Sequence, residues 1–333
     1  MVKAVISGYY GYRNFGDEEI LTSLLKHLNE LHCEATVLSG DVEYTKEHNN
    51  VNAVYRFSLW AVINEIKNCD VLISGGGSLL QDVTSLKSLI YYLFIISLGL
   101  LFNKKVIIFA QGIGPINNKF AQFITRKLLQ LCTYVSVRDD ISRNILEYWE
   151  VDADLVCDPI WGIEIPQTKK TNSVGIQLRK FKTMNYNFLQ KLALLVSKKF
   201  SYKEIEIFSL QEDLDYDIAK MFEKYLLQMN PDLVTEVVTE NIAQRISQLE
   251  YMIGMRFHAL LIAIKSGVKT CAINYDIKVK KLAKEANIPM ISTNATENYE
   301  EMYQQLTNLN SEDLLRYAKS NVFDWTKFDN YFL

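Results

Sequence analysis

The residues best suited to chemistry lie in GMRFHALLIAIKSG, residues 254–267, where Arg256 and His258 end an apolar run and open an apolar helix. An imidazole gives or takes a proton near neutral pH, a guanidinium holds an anion, and a helix N-terminus adds partial positive charge. The other three histidines, His27, His32 and His48, sit among polar neighbours in helical or loop settings. No second His or Cys accompanies His258 to complete a metal site. Nor is there a G-x-S-x-G elbow for a serine nucleophile. What remains is acid/base chemistry by one imidazole, with cations nearby for an anionic substrate. The candidates are Arg138 in SVRDD, Arg179 in QLRKF, Arg256, and Lys278 in YDIKVKK.

A second set of residues lies in three glycine clusters at the ends of apolar runs. They are Gly8/Gly11/Gly16, Gly75-Gly76-Gly77-Ser78, and Gly112-Ile113-Gly114-Pro115. Loops whose backbone N–H groups converge on a ligand exclude side chains at those positions. The first cluster is neither the G-x-G-x-x-G dinucleotide fingerprint nor a Walker loop, which argues against a nicotinamide enzyme. Polar residues accompany the glycines: Asn14 and Asp17 in the first, Gln81 and Asp82 after the second, Gln111 in the third. Asp17 and Asp82 also suit helix N-caps.

These residues need strands to present them. The runs AVIS, ATVL, VLISGGG, VIIFAQGIGP and YVSVRD alternate with helical stretches, the pattern of βαβ units and a parallel sheet. DPIWGIEIPQTKKTNS, residues 158–173, breaks the rhythm. A second series then follows: VGIQL, EIEIFSL, a helix near 214–228, LVTEVV, YMIG, a helix over 257–266, and TCAINY. The expectation is an α/β protein of two Rossmann-like domains facing a cleft, with the site at the carboxyl ends of the strands. The boundaries read as 1–165 for the N-terminal domain, 172–310 for the C-terminal domain, and 311–333 for a helical segment that caps one domain or crosses back to the other.

Composition narrows the partners. The 333 residues, 49% hydrophobic and 23% charged, can build two soluble cores. A net charge of −3 gives no basic footprint for nucleic acid. Five scattered cysteines without a C-x-x-C pair read as buried cytosolic thiols, and the N-terminus reads as a first strand. LIYYLFIISLGLLF, residues 89–102, is shorter than the roughly 20 residues of a bilayer span. It reads as a helix buried against the sheet, and a helix touching the membrane surface is the alternative. The protein is expected in the cytoplasm, with peripheral contact at the inner face of the membrane under that alternative.

Taken in order, GYYGYRNFGDEEIL, ISGGGSLLQD, AQGIGP, SVRDDIS, CDP and GMRFHALLIA resemble the polysaccharide pyruvyl transferase family, closest to its CsaB-type cell-wall members. The resemblance covers about residues 1–285. It implies a GT-B-like fold and transfer of the pyruvyl unit of phosphoenolpyruvate to two sugar hydroxyls as a cyclic ketal. The implied acceptor is a lipid-linked oligosaccharide containing N-acetylmannosamine, and the ketal later anchors surface-layer proteins. Phosphoenolpyruvate is then a co-substrate, with no cofactor or metal. On this pattern His258 is catalytic, and Arg138, Arg256, Lys278, Gly112 and Gly114 bind the donor. Tyr12, Asn14, Asp17, Gly76, Gly77, Ser78 and Asp82 bind the acceptor. Relatives often carry Arg at the Lys278 position, and where they carry a strand-end histidine this chain has Gln211 and Asp213. A nucleotide-sugar glycosyltransferase and a catalytically silent sugar-binding protein stay open as alternatives.

Overall fold

A computed structural model describes residues 1–165, 169–181, 186–293 and 298–332. The chain forms two compact units, Met1–Ile163 with Val322–Leu333, and Glu164–Asn321. In the first unit the strands are β1 (Lys3–Ser7), β2 (Glu34–Ser39), β3 (Asn52–Tyr55), β4 (Val71–Ser74), β5 (Gly77–Leu80), β6 (Lys105–Ile113), β7 (Tyr134–Val137) and β8 (Asp154–Leu155). They pair in the order 3-2-1-4-6-7-8, all parallel, with β5 on the far end of β6. Every residue of β4, and of β6 after Lys105, is buried, as the central strands of a parallel sheet covered on both faces must be. VLISGGG, which reads as one run, is divided between β4 and β5. The Gln111 amide takes up the carbonyls of Ser74 and Gly75 at 3.0 and 2.8 Å and so interrupts the ladder there.

The second unit contains β9 (Ser173–Gln177), β10 (Glu204–Phe208), β11 (Thr235–Val238), β12 (Tyr251–Gly254), β13 (Lys269–Asn274) and β14 (Met290–Ser292). Their order is 11-10-9-12-13-14, all parallel. Counted from its own first strand this is 3-2-1-4-5-6, the Rossmann order, and it reverses between β9 and β12. The helix expected over 214–228 is Asp217–Met229, preceded by a π-helical turn at Glu212–Tyr216. Of the linker 158–173, residues 166–168 lie outside the described residues.

The segment 311–333 is divided between the units. Ser311–Ser320 is a helix of the second, and residues from Val322 onward belong to the first. Aromatic packing accounts for that return: Trp325 stacks on Phe109 at 5.4 Å and on His27 at 3.9 Å, and His27 Nε2 lies 2.6 Å from Asp329 Oδ1. Phe323 and Phe328 complete the cluster around the fully buried Phe109. Trp325→Ala removes the central ring of this cluster, so a loss of about 3 kcal/mol is expected in urea unfolding. An unchanged midpoint would show that the tail contributes little.

Helix Leu86–Leu101 buries Leu89, Tyr92, Leu93, Ile95, Ile96, Leu98 and Gly99. It is not wholly internal, because Ile90, Phe94 and Leu101 remain exposed. Among the described residues no helix is long and apolar enough to cross a membrane. All five cysteines are free thiols, and burial pushes Cys33 and Cys69 up to about 11, away from the reactive thiolate range.

Candidate functional site

In the second unit the reversal of strand order falls between β9 and β12, and Gln177, the last residue of β9, joins the two strand ends. Its Oε1 accepts the N–H groups of Arg256 at 2.7 Å and Met255 at 3.2 Å, and its Nε2 reaches Asp215 Oδ2 at 3.4 Å. Arg256 is thereby fixed as the N-cap residue of helix Phe257–Lys265, with His258 on the first turn. The Arg256 guanidinium is only 8% exposed and donates to Asp215 Oδ1 from Nη2 at 2.8 Å and Nε at 3.3 Å, and to Gln211 Oε1 at 3.4 Å. Asp215 is fully buried and also accepts the Leu210 N–H at 3.1 Å. Burial pushes its carboxyl above the usual range, while Arg256 and Leu210 pull it back down. The outcome is a buried ion pair held at a strand end, with an imidazole on the following helical turn. Lys278 belongs to the same unit, on the first turn of helix Ile277–Glu285, which Asp276 caps.

Asp215 and Gln177 escape a reading by sequence spacing. Between Gln211 and Asp213 the sequence offers no way to see that a π-turn carries Asp215, rather than Asp213, inward. The only cue to Gln177 is a polar residue ending an otherwise apolar strand.

In the first unit the order reverses between β1 and β4, so the Gly8–Asp17 and Gly75–Ser78 loops meet there. Asn14 is the N-cap of helix Phe15–Glu30, accepting the Gly16 N–H at 3.2 Å; Asp17 is in its first turn rather than at the cap. Asp17 abuts the second loop: a Cβ on Gly77, whose φ is +96°, would lie 2.6 Å from Asp17 Oδ1. The same close approach explains Gly8 and Gly75, where a Cβ would strike the fully buried Tyr10 side chain at 2.3 and 2.0 Å. At these two positions glycine is required by an internal tyrosine, which corrects the expectation that a ligand alone excludes side chains. Tyr12 stacks on Tyr9 with ring centroids 4.4 Å apart.

Asp82 does not cap the following helix, which Ser85 does. Its carboxylate accepts the N–H groups of Asn117 and Asn118, each at 2.8 Å, and these bonds hold its pKa below the usual carboxylate range. It therefore ties the second glycine loop region to the segment after Gly114. Gln111 is fully buried and serves as the clamp on Ser74 and Gly75 described above. Arg138 is not a solvated cation: its Nη1 donates to Asp158, and both side chains are buried. SVRDD and CDP are therefore two halves of one ion pair. Gly112, Gly114 and Arg138 belong to the first unit, while Arg256, His258 and Lys278 belong to the second.

Glu18 is a further residue that its sequence position does not single out. It is 4% exposed, accepts the Gly11 N–H at 2.9 Å, and burial beside the Asp17 carboxylate raises its pKa from 4.5 to about 7. A raised acid pKa means that the folded state holds more protons, so stability falls as pH rises from about 4.5 to 7 and the penalty is complete above that. The shift corresponds to about 3 kcal/mol. Glu18→Gln keeps an acceptor for Gly11 without the buried charge. The variant is expected to be more stable than wild type at pH 8, with the advantage vanishing toward pH 4.5, as followed by thermal melts across that range.

Two parallel sheets with Rossmann topology define the GT-B class of fold, and solved structures agree. The chain is similar to Anabaena Alr3699/HepE in complex with UDP and glucose, with a TM-score of 0.65 and 11% identity over 99% of this chain and 98% of that one. It is similar to UDP-GlcNAc 2-epimerase from Neisseria meningitidis bound to UDP-GlcNAc, with a TM-score of 0.62 and 10% identity over 96% and 94%. MurG of Acinetobacter baumannii gives a TM-score of 0.55 and 13% identity over 99% and 98%. At such identities the likeness concerns the fold. The family model for polysaccharide pyruvyl transferase matches residues 14–277, and the chain belongs to that family. No curated protein sequence matches it significantly.

Proposed function

We propose that this protein transfers the pyruvyl group of phosphoenolpyruvate to two hydroxyls of a cell-wall polysaccharide precursor, forming a 4,6-ketal on a lipid-linked N-acetylmannosamine unit and releasing phosphate. The observation that carries the reading is His258 on the first turn of a helix beside the anchored Arg256, in a chain of the pyruvyl transferase family. In the first step a proton goes to the methylene carbon of the enol, which becomes the methyl group. The first hydroxyl oxygen bonds to the adjacent carbon and gives up its proton. The second hydroxyl then displaces phosphate from that carbon, and its proton leaves with the phosphate. His258 delivers or removes these protons.

Arg256 and Lys278 meet the anionic groups of the donor in the second unit; Lys278 acts as a point charge where a guanidinium would grip in a fork. In the first unit Arg138, Gly112 and Gly114 serve the donor. Tyr12, Asn14, Asp17, Gly76, Gly77 and Ser78 serve the acceptor, with Asp82 holding their loop in place. No cofactor besides the co-substrate is required, and the reaction runs on the cytoplasmic side of the membrane, where the precursor is assembled.

Phosphate release from phosphoenolpyruvate, measured with and without a lipid-linked N-acetylmannosamine disaccharide, tests the proposal. Acceptor-dependent release is expected. If there is none, and a nucleotide sugar is consumed instead, the protein is a glycosyltransferase.

A further inference from the structure

Arg56 stands at the carboxyl end of β3, beside the first glycine loop, and is 5% exposed. Among the described residues no carboxylate pairs with it. Its Nη1 donates to the Gly8 carbonyl at 3.2 Å, and its Nε is buried without a hydrogen-bond partner. Four aromatic rings surround the guanidinium, with Tyr91 at 4.2 Å, Tyr92 at 5.2 Å, Phe57 at 5.3 Å and Tyr12 at 5.6 Å. The buried Tyr92 hydroxyl lies beside the guanidinium and offers it a neutral oxygen, not a counter-charge. Cation–π contact and neutral tyrosine oxygens offset part of the cost of burying this charge, but they supply no counter-ion. Every other buried arginine described above has its carboxylate. Arg56 therefore lacks an anion.

The surface next to it indicates which kind of anion. Phe57 packs edge-on to Tyr91 at 5.6 Å, and Trp60, at the start of the following helix, is 84% exposed. Helix Leu86–Leu101, which carries Tyr91 and Tyr92, exposes Ile90 and Phe94 and has no acidic residue. The neighbouring helix Lys119–Leu129 exposes Phe120 and Phe123, and it too has cations and no acid. A buried cation without a counter-ion thus adjoins apolar side chains, two of whose three helices carry no acid, an arrangement complementary to an anionic head on an apolar tail.

We infer that Arg56, with its aromatic collar, binds the phosphate or diphosphate group of an acceptor carried on an apolar chain. The inference rests on the acceptor side of the function proposed above and adds the residue that recognises the carrier rather than the sugar. Tyr12 touches both the glycine loop and the Arg56 collar, so anchoring the phosphate there sets the position of the attached sugar at the loop.

Direct binding, which involves no turnover, tests this by calorimetric titration with geranylgeranyl diphosphate, geranylgeraniol and inorganic pyrophosphate. Wild type is expected to bind the lipid diphosphate at least tenfold more tightly than either the neutral alcohol or pyrophosphate alone. Arg56→Gln is expected to lose that tenfold preference over the alcohol, and Arg56→Lys to lose part of it. Equal lipid diphosphate affinity in wild type and a folded Arg56→Gln variant would overturn the inference and leave Arg56 as a strut for the glycine loop. Pyrophosphate binding as tightly as the lipid would overturn the apolar carrier. If Arg56→Gln does not fold, hydrogen exchange on wild type decides the matter, with slowing over residues 52–60 by the lipid diphosphate expected and no change contrary. Loss of pyruvyl transfer in wild type with Arg56-dependent binding intact would instead refute the proposed reaction alone.

Discussion

His258→Ala is expected to lower acceptor-dependent phosphate release by about 10²- to 10⁴-fold, the range that one positioned acid/base group supplies. The imidazole is half-buried on the first turn of an apolar helix that packs into the core through Ala259 to Ile264, so its removal leaves the framework in place. Calorimetric titration with phosphoenolpyruvate should therefore show affinity close to wild type, since the platform of Arg256, Asp215, Gln211 and Gln177 does not pass through the ring. A split of this kind, with kcat falling while donor binding persists, separates proton transfer from substrate capture. Unchanged release in the variant would remove His258 from the reaction and turn attention to the cations. Loss of donor binding with the ring would make it a binding residue.

Asp215→Ala is expected to be the most damaging change in the second unit. It leaves the buried Arg256 guanidinium with the Gln211 amide oxygen as its remaining side-chain acceptor, and breaking a buried ion pair from one side costs about 3–5 kcal/mol. Urea unfolding should show the loss, with donor affinity falling in parallel as Arg256 leaves its fixed position. Arg256→Gln should cost less stability, because the Asp215 carboxyl then takes up a proton. Its penalty should shrink as pH falls, since the protonated, folded form is favoured there. If the two variants unfold at the same urea concentration at every pH, the pair carries no such asymmetry. Normal donor binding by a folded Asp215→Ala variant would show that Arg256 needs no anchor.

Much of this could be read from residues alone. Short apolar runs alternating with helices gave a doubly wound chain, because strands buried on both faces must be apolar throughout. Glycine clusters after β1 and β4 marked the reversal of strand order in the first unit, and the passage from YMIG into RFHALL marked the first helical turn that carries His258. These are local facts, fixed by side-chain volume, by backbone freedom and by the period of the hydrophobic pattern.

What the sequence could not show was pairing. Nothing along the chain links Arg138 to Asp158 or Arg256 to Asp215, because each partner arrives from another βα loop. The helical segment 311–333 was legible as amphipathic, but its division between the units depends on Phe109 meeting Trp325 and Phe328 across more than 200 residues. Two glycines that read as ligand-facing are in part the space for Tyr10. Arg56, an ordinary residue between a tyrosine and a phenylalanine, became the most telling cation only when folding buried it among four rings without an acid. Composition and period determine which elements form, since those are properties of neighbouring residues. Only the tertiary structure decides which charges are neutralised and which are left for a ligand, since burial and Coulomb energy depend on distance in space.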